Sequence, residues 1–379
     1  MFRRIIGIYA ACWCLSTIAA EPAPLSGTTP APAQPEAIPK RIRILVLTQS
    51  MGYTHSVVTR PPGSPGTLSI AESALSDIGT KNGLYETECI QDATLITPEK
   101  LKDLDALIFY TSGDLPIKPA AFTEIQKWLR GGKAFIGIHS ATDTFKEFRP
   151  YYEMLGATYL RHPWTHGAAV TNLDPTHAAT KMFPTEFQWN DELCEQHYFD
   201  PRKVRVLLAL NMDKSSPKLA KMVPLCWVRD YGKGRVFYTN FGNSESAWSD
   251  AQFRAHLLGG VRWALKIDEG GIDPNPEVSA KEDTKARLAV LETQRNWLAK
   301  AAKSASANPA VVLAAAEKSA NDDKAGFVKL HDAILAARAD EAKREAALKP
   351  KQRPSDADVQ AVFTRRKEIV EALLPKKEQ

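Results

Sequence analysis

Three short apolar runs separated by helical stretches are the strongest constraint on how this chain can fold. The runs are RIRILVLTQ from Arg41, LDALIFYTS at 104–112 and KAFIGIHS at 133–140. Runs of this length and composition suit strands that are buried on both faces of a sheet. Helical patterns at 67–83 and 119–131 lie between them. The alternation predicts an α/β fold whose parallel sheet is covered by helices on both sides.

The later part of this region has a different pattern, with strand-like runs that follow one another closely. These runs lie at 204–210, 224–231 and 234–242, and a Gly-Lys-Gly sequence between the last two suits the tight turn of a hairpin. An amphipathic helix at 251–266 follows them. Together with the first half, these elements predict one α/β domain over residues 41–268.

The two ends of the chain differ from this domain. Residues 1–20 start with arginines, continue with an apolar stretch and end on small residues, which predicts a cleaved signal peptide and an exported protein, periplasmic or extracellular. Residues 21–40 are rich in Pro and Ala and predict a linker. Residues 278–379 predict a helical C-terminal region, where Ser279 and Glu282 have the spacing of a capping box.

Composition argues against several functional classes. The net charge is only +5, and no basic stripe interleaved with aromatic residues accompanies it, so nucleic-acid binding is not expected. Beyond the signal peptide no segment approaches the length of a membrane span. Only Cys89, Cys194 and Cys226 remain after signal cleavage, too few for a disulfide scaffold. The sequence does not indicate an oligomeric state.

Histidines concentrate in the predicted α/β domain, which holds all of the eight except His331. Polar segments that contain His55, Gly113 and His139 follow the three apolar runs, one segment after each. The carboxyl ends of parallel strands meet at one edge of a sheet, and ligand sites form outside that edge. We therefore expect His55 and Gly113 to bind substrate near His139.

His139 lies among small residues at the point where a strand should turn directly into a helix. Gly137, Ser140 and Ala141 surround it, and such a turn presents its central side chain above the sheet. Asp143 lies close enough in sequence to orient the imidazole. We predict that His139 and Asp143 are catalytic and that Ser140 contacts substrate. The alternative is a histidine that only caps the strand and hydrogen-bonds the backbone.

A second histidine group lies in the segment 161–167. His162 and His166 are four residues apart, and on a helix both would share one face and could hold a divalent metal with His139. The glycine that follows favours a loop instead, in which Trp164 and His166 would bind substrate. A third possibility is two surface histidines in a turn.

Carboxylates, aromatic rings and a histidine are combined in the segment 189–199. This combination is typical of surfaces that recognise sugars, and also of ordinary solvated loops. If Glu192 is buried, its pKa rises and it can act as a catalytic general base. His197 and Tyr198 would then bind the substrate beside it.

Several motifs, in order, resemble the ThuA-like (trehalose utilisation) family of the class I glutamine amidotransferase-like superfamily. They are GGKAFIGIHSATDT, HPWTHG, DELCEQHY and WVRDYGKGRVFYTNFGN, and the resemblance extends roughly from Arg41 to Lys266. It implies a flavodoxin-like three-layer α/β sandwich, here with a C-terminal helical appendage. It also implies carbohydrate metabolism, particularly of disaccharides and keto-sugars, so the expected partner is a small carbohydrate.

The resemblance also limits the reaction. His139 stands where amidotransferases of the superfamily carry a nucleophilic cysteine, so we do not expect glutamine hydrolysis. Three functions remain open. They are an enzyme that acts on a sugar derivative through histidine acid/base chemistry, a metal-dependent hydrolase, and a non-catalytic carbohydrate-binding module. In the last of these, stacking would come from Trp164, Trp189, Tyr198 and Trp248. No cofactor other than a divalent metal is suggested.

Overall fold

A computed structural model describes residues 41–63, 66–216, 218–349 and 352–374. The predicted signal peptide and linker lie outside these residues, so export stays a prediction. Among the described residues, no helix combines the length and the apolar character needed to cross a membrane.

Strands account for the centre of the fold. The described residues contain eleven strands, which in chain order are β1 (Ile42–Leu47), β2 (Tyr85–Ile90), β3 (Ala106–Phe109), β4 (Ala134–Ile138), β5 (Thr158–Trp164), β6 (Ala168–Asn172), β7 (Glu186–Trp189), β8 (Leu193–His197), β9 (Arg205–Leu210), β10 (Pro224–Tyr231) and β11 (Gly234–Thr239). Nine of them form one sheet in the order β2-β1-β3-β4-β11-β10-β9-β6-β7. The remaining two, β5 and β8, pair in a separate small sheet.

The large sheet is parallel in one half and antiparallel in the other. The first half consists of β2, β1, β3, β4 and β11, which run parallel to one another. β10, β9, β6 and β7 continue the sheet with antiparallel pairing. The predicted hairpin joins the two halves, and Gly232 in its turn has a φ of 65°, in the left-handed region that glycine tolerates. The parallel pairing of β1, β3 and β4 and the hairpin between β10 and β11 are as the sequence predicts, and the α/β class is confirmed.

Helices cover the sheet and form the C-terminal part of the chain. The described α-helices are α1 (Ile70–Lys81), α2 (Pro98–Lys102), α3 (Pro119–Arg130), α4 (Arg149–Leu155), α5 (Glu245–Ser249), α6 (Ala251–Ala264), α7 (Pro276–Ser304), α8 (Pro309–Asp322), α9 (Lys324–Ala346) and α10 (Asp356–Leu373). The three predicted helices of the α/β region correspond to α1, α3 and α6.

Alternate residues of the central strands build two cores, one on each face of the sheet. On β1, Ile44 and Val46 belong to the core shared with α1 and α6. Leu45 and Leu47 belong to the core shared with α3 and α4. Successive side chains of a strand point to opposite faces, so an uninterrupted apolar run buries both. The result is the three-layer α/β sandwich that the sequence predicts.

The C-terminal helices α7 to α10 pack around an apolar core of their own. The predicted capping box is wrong, because α7 begins at Pro276 and both Ser279 and Glu282 lie inside the helix. Asn275 precedes the helix, but its side-chain amide hydrogen-bonds the backbone N–H and C=O of Val206 on β9 instead of capping. The start of the helical region is thereby fastened to the large sheet.

Candidate functional site

His139 is the first residue after β4, at the carboxyl edge of the parallel half of the sheet. It opens a 3-10 turn over His139–Asp143 and has a φ of 46°, which is uncommon for a residue other than glycine. Its side chain is only 1% exposed. Backbone strain of this kind persists only where surrounding contacts enforce it, and it is frequent at functional sites.

Those contacts fix the His139 imidazole. Nδ1 lies 2.7 Å from the backbone carbonyl oxygen of Asn240, just after β11. Because a carbonyl can only accept, Nδ1 carries a hydrogen, so in the neutral ring Nε2 is the nitrogen with the lone pair. Nε2 lies 3.8 Å from Oε1 of Glu192. Asp143 does not orient the ring as predicted; its carboxylate pairs with Lys146 at 3.0 Å.

The turn that carries Glu192 is held against the end of β11. The side chain of Asn240 accepts from the N–H and donates to the C=O of Cys194, both at 2.9 Å. The buried carboxylate of Asp191 accepts from the backbone N–H groups of Gly242 and Ser244, at 2.7 and 2.8 Å. Sequence reasoning singled out neither anchor, since each contact joins residues about fifty positions apart.

His55 completes the site from the segment after β1. Its ring centroid lies 4.9 Å from that of His139, with the two planes nearly perpendicular. The ring is buried, and Nδ1 has no hydrogen-bond partner among the described residues. Burial, followed by the charges of His139 and His162, lowers the pKa of His55 to about 3. His55 is therefore a neutral base with an unused nitrogen.

Three ligand-type side chains from three distant segments thus meet at one point. One nitrogen each of His55 and His139 and one oxygen of Glu192 lie within 4.8 Å of one another. Two of the three side chains are buried, and Glu192 is 22% exposed. The predicted site at the edge of the sheet therefore brings together His55 after β1, His139 after β4, and Glu192.

The predicted metal trio of His139, His162 and His166 does not assemble in this form. The segment is not a helix, because His162 lies in β5 and His166 in the turn after it. His162 still reaches the site, with Nδ1 3.8 Å from Glu192 Oε1 and 2.6 Å from the hydroxyl of Tyr159. His166 is exposed and hydrogen-bonds its neighbour Thr165.

Other residues predicted to bind substrate lie elsewhere. Trp164 is 2% exposed and belongs to the core, so it offers no stacking surface. Tyr198 stacks on His197 and on Tyr152. It borders a cavity of about 430 Å³ whose lining includes Arg130 and none of the three clustered residues. His197 and Tyr198 are thus separated from the His139 site.

Gly113 and Ser140 lie close to His139 but differ in role. Gly113 has a φ of 71°, and a Cβ there would lie 2.5 Å from the backbone nitrogen of Gly52. Its N–H donates to the carbonyl of Asp143, so it holds loops together. Ser140 is 7% exposed in the turn after His139. Tyr53, which the sequence reasoning missed, is 72% exposed and meets the ring of His55 edge-on at 4.9 Å.

Fold and site together define an α/β three-layer sandwich with a polar cluster at the carboxyl edge of its sheet. The ThuA family, described as trehalose utilisation, matches residues 43–264 of this chain, more than half of its length. The chain belongs to the ThuA family.

The first of two similar solved structures supports this fold. A ThuA-like protein from Bacteroides uniformis is 19% identical, with a TM-score of 0.50, over 64% of this chain and 98% of that one. A ThuA-like protein from Parabacteroides merdae is 15% identical, with a TM-score of 0.48, over 60% of this chain and 90% of that one. Among curated proteins, none matches the chain.

Proposed function

We propose that the chain is an enzyme that acts on a sugar or sugar derivative, of the disaccharide or keto-sugar class, and that the reaction takes place at His139. The family description concerns the use of a disaccharide, which supports the substrate class. A cluster of proton-exchanging side chains at the carboxyl edge of the sheet supports catalysis, because ligands of α/β folds bind there.

The observation that carries the proposal is the free Nε2 of His139 opposite Glu192. Hydrogen bonding of Nδ1 to Asn240 fixes the tautomer and leaves Nε2 able to accept a proton. A sugar hydroxyl, or a carbon next to a keto group, is a suitable donor. Glu192, 3.8 Å away, would stabilise the positive charge that the ring then gains.

Burial of the aromatic residues favours an enzyme over a non-catalytic binding module. Trp164, Trp189 and Trp248 are 2, 8 and 2% exposed and pack in the core. Tyr198 is exposed, but it borders the cavity apart from His139. A module that binds sugars by stacking needs ring faces at its surface. Tyr53 is an exposed phenol ring that contacts His55 of the cluster, and one such ring is a small stacking surface.

The environments of the three cysteines do not support glutaminase chemistry. Cys194 and Cys226 are buried, and burial raises the pKa of both thiols well above its usual value. Cys89 is partly buried, and burial raises the pKa of its thiol as well. A nucleophilic cysteine needs the opposite environment, one that stabilises the thiolate.

The test is turnover of a panel of oxidised and unoxidised disaccharides by the full chain. We expect at least one sugar to be converted, and His139→Asn to lower kcat/KM by at least about 100-fold, the usual contribution of a general acid or base. Asparagine suits this position because it tolerates a left-handed backbone. His331→Ala, in the C-terminal helices, is the matched control and should keep full activity. Equal turnover by His139→Asn and the wild type would refute the assignment.

A further inference from the structure

We infer that His55, His139 and Glu192 form a binding site for one divalent transition-metal ion. The inference rests on the proposed function only for the ion's role in catalysis. Binding of the ion can be measured without any substrate. The predicted trio of His139, His162 and His166 is thus replaced by a different set of residues.

The separation of the donor atoms suits such an ion. Ligands that bind a metal at about 2.0–2.2 Å stand roughly 3–4 Å apart from one another. His139 Nε2 and Glu192 Oε1 are already 3.8 Å apart. All three donors lie within 4.8 Å of one another, so a shift of about 1 Å by the third would close the site.

The unpartnered nitrogen of His55 is a second, independent observation. His55 is 7% exposed, and its buried Nδ1 has no hydrogen-bond partner in the described parts of the chain. A buried polar atom without a partner costs about 1–3 kcal/mol, so such atoms are rare and ask for an explanation. One ring nitrogen of His55 is among the three clustered donor atoms, so an ion there would bind this buried imidazole, which otherwise leaves a nitrogen without a partner.

The surroundings of His139 are those of a metal-binding histidine. Metal-bound imidazoles commonly donate their other N–H to a backbone carbonyl or a carboxylate, which fixes the ring. His139 does this through Nδ1 and the carbonyl of Asn240. Imidazole favours zinc, copper, iron or nickel over magnesium or calcium. Two histidines and one carboxylate also leave a coordination position for substrate.

With an ion in place, Nε2 of His139 would hold the ion instead of accepting a proton, so another residue would have to take the proton. The ion would polarise a carbonyl or hydroxyl oxygen of the sugar. Proton transfer would then pass to His162, which lies beside Glu192 and is hydrogen-bonded to Tyr159. Burial and nearby negative charge raise the pKa of Tyr159 to about 12, so its hydroxyl keeps its proton and can orient the His162 ring.

The experiment measures binding of Zn²⁺ and Co²⁺ to the full chain after treatment with a chelator. Titration calorimetry should show one ion per wild-type chain, and Co²⁺ should give the visible spectrum of a nitrogen-bound ion. His55→Ala and Glu192→Gln should each weaken affinity by at least about 100-fold, since each removes one of only three protein ligands. His331→Ala in α9 and Glu186→Gln on β7 are the matched controls and should bind as the wild type does. The Glu186 carboxylate contacts Asn211 and Lys214 and is not one of the clustered donors.

Two results would overturn the metal site. One is a wild-type chain that binds less than one ion; the other is His55→Ala binding as tightly as wild type. His55→Gln serves the same purpose if the alanine variant does not fold. Turnover that needs His139 but survives chelation and His55→Ala would refute the metal and leave the proposed enzyme standing. Binding of one ion per chain without any sugar turnover would refute the proposed enzyme and leave the metal site standing.

Discussion

Two buried histidines contact the end of β11 and differ in what their second nitrogen contacts. His256 on α6 and His139 after β4 both place Nδ1 against a backbone carbonyl, of Ala179 and Asn240 respectively. Nε2 of His256 also hydrogen-bonds the hydroxyl of Thr239, at 3.0 Å. Nε2 of His139 makes no such hydrogen bond within the described residues and lies 3.8 Å from Oε1 of Glu192. Both ring nitrogens of His256 are hydrogen-bonded within the protein, whereas Nε2 of His139 remains available to a ligand.

The difference separates a structural role from a chemical one. A histidine with both nitrogens satisfied ties α6 to the sheet and contributes to the free energy of unfolding. A histidine with one nitrogen free and held in a left-handed conformation contributes little to stability but can accept a proton or a metal. Burial alone does not distinguish the two, since His256 is 0% and His139 1% exposed.

The largest expected effect is on the free energy of unfolding when the imidazole of His256 and that of His139 are each removed in turn. His256→Ala should lower the free energy of unfolding by about 3 kcal/mol, because it leaves two buried partners unpaired and opens a cavity. His139→Asn should cost about 1 kcal/mol, the value of one hydrogen bond. Urea denaturation of both variants checks this. Equal losses in the two variants would remove the contrast between the regions.

The parallel half of the fold could be predicted because its strands are continuous apolar runs. β1, β3 and β4 are buried on both faces, and helical segments separate them, so local pattern and final structure coincide. β5 could not be predicted in this way. It is largely exposed, contains Pro163 and pairs with β8 through register shifts, so it lacks the alternation by which a strand is recognised.

The site was predictable in position but not in its pairings. The strand ends that carry His55 and His139 converge because parallel strands share an edge. The partner of His139 is the carbonyl of Asn240, 101 residues further along the chain, and a backbone atom leaves no mark in the sequence. Asp143 was preferred because it is near in sequence, although the turn directs its carboxylate to Lys146.

A smaller expected effect is on the pH dependence of the free energy of unfolding, and it tests the same contrast between the two histidines. Burial lowers the pKa of His256 to about 4 from 6.5 in the unfolded chain. Between these values the unfolded state binds more protons, so stability falls as the pH falls from 6.5 towards 4 and is fully present above that range. His256 should account for about 2 kcal/mol of the loss between pH 7 and pH 5.

Urea unfolding of wild type and His256→Gln at pH 5, 6 and 7 measures this contribution. The variant should show a shallower dependence on pH, because the group that titrates on unfolding has been removed. His166→Gln, which replaces an exposed histidine in the turn after β5, is the control and should keep the pH dependence of the wild type. A variant with the same pH dependence as wild type would mean that His256 is not held neutral in the folded state.

The tautomer of His139 can be measured directly by NMR on the full chain labelled with ¹⁵N-histidine at neutral pH, before any metal is added. His139→Asn identifies the signals by their loss. We predict a hydrogen on Nδ1 and an unprotonated Nε2, because Nδ1 donates to the carbonyl of Asn240. A hydrogen on Nε2 with Nδ1 bare would contradict the arrangement on which both the proposed reaction and the metal site depend.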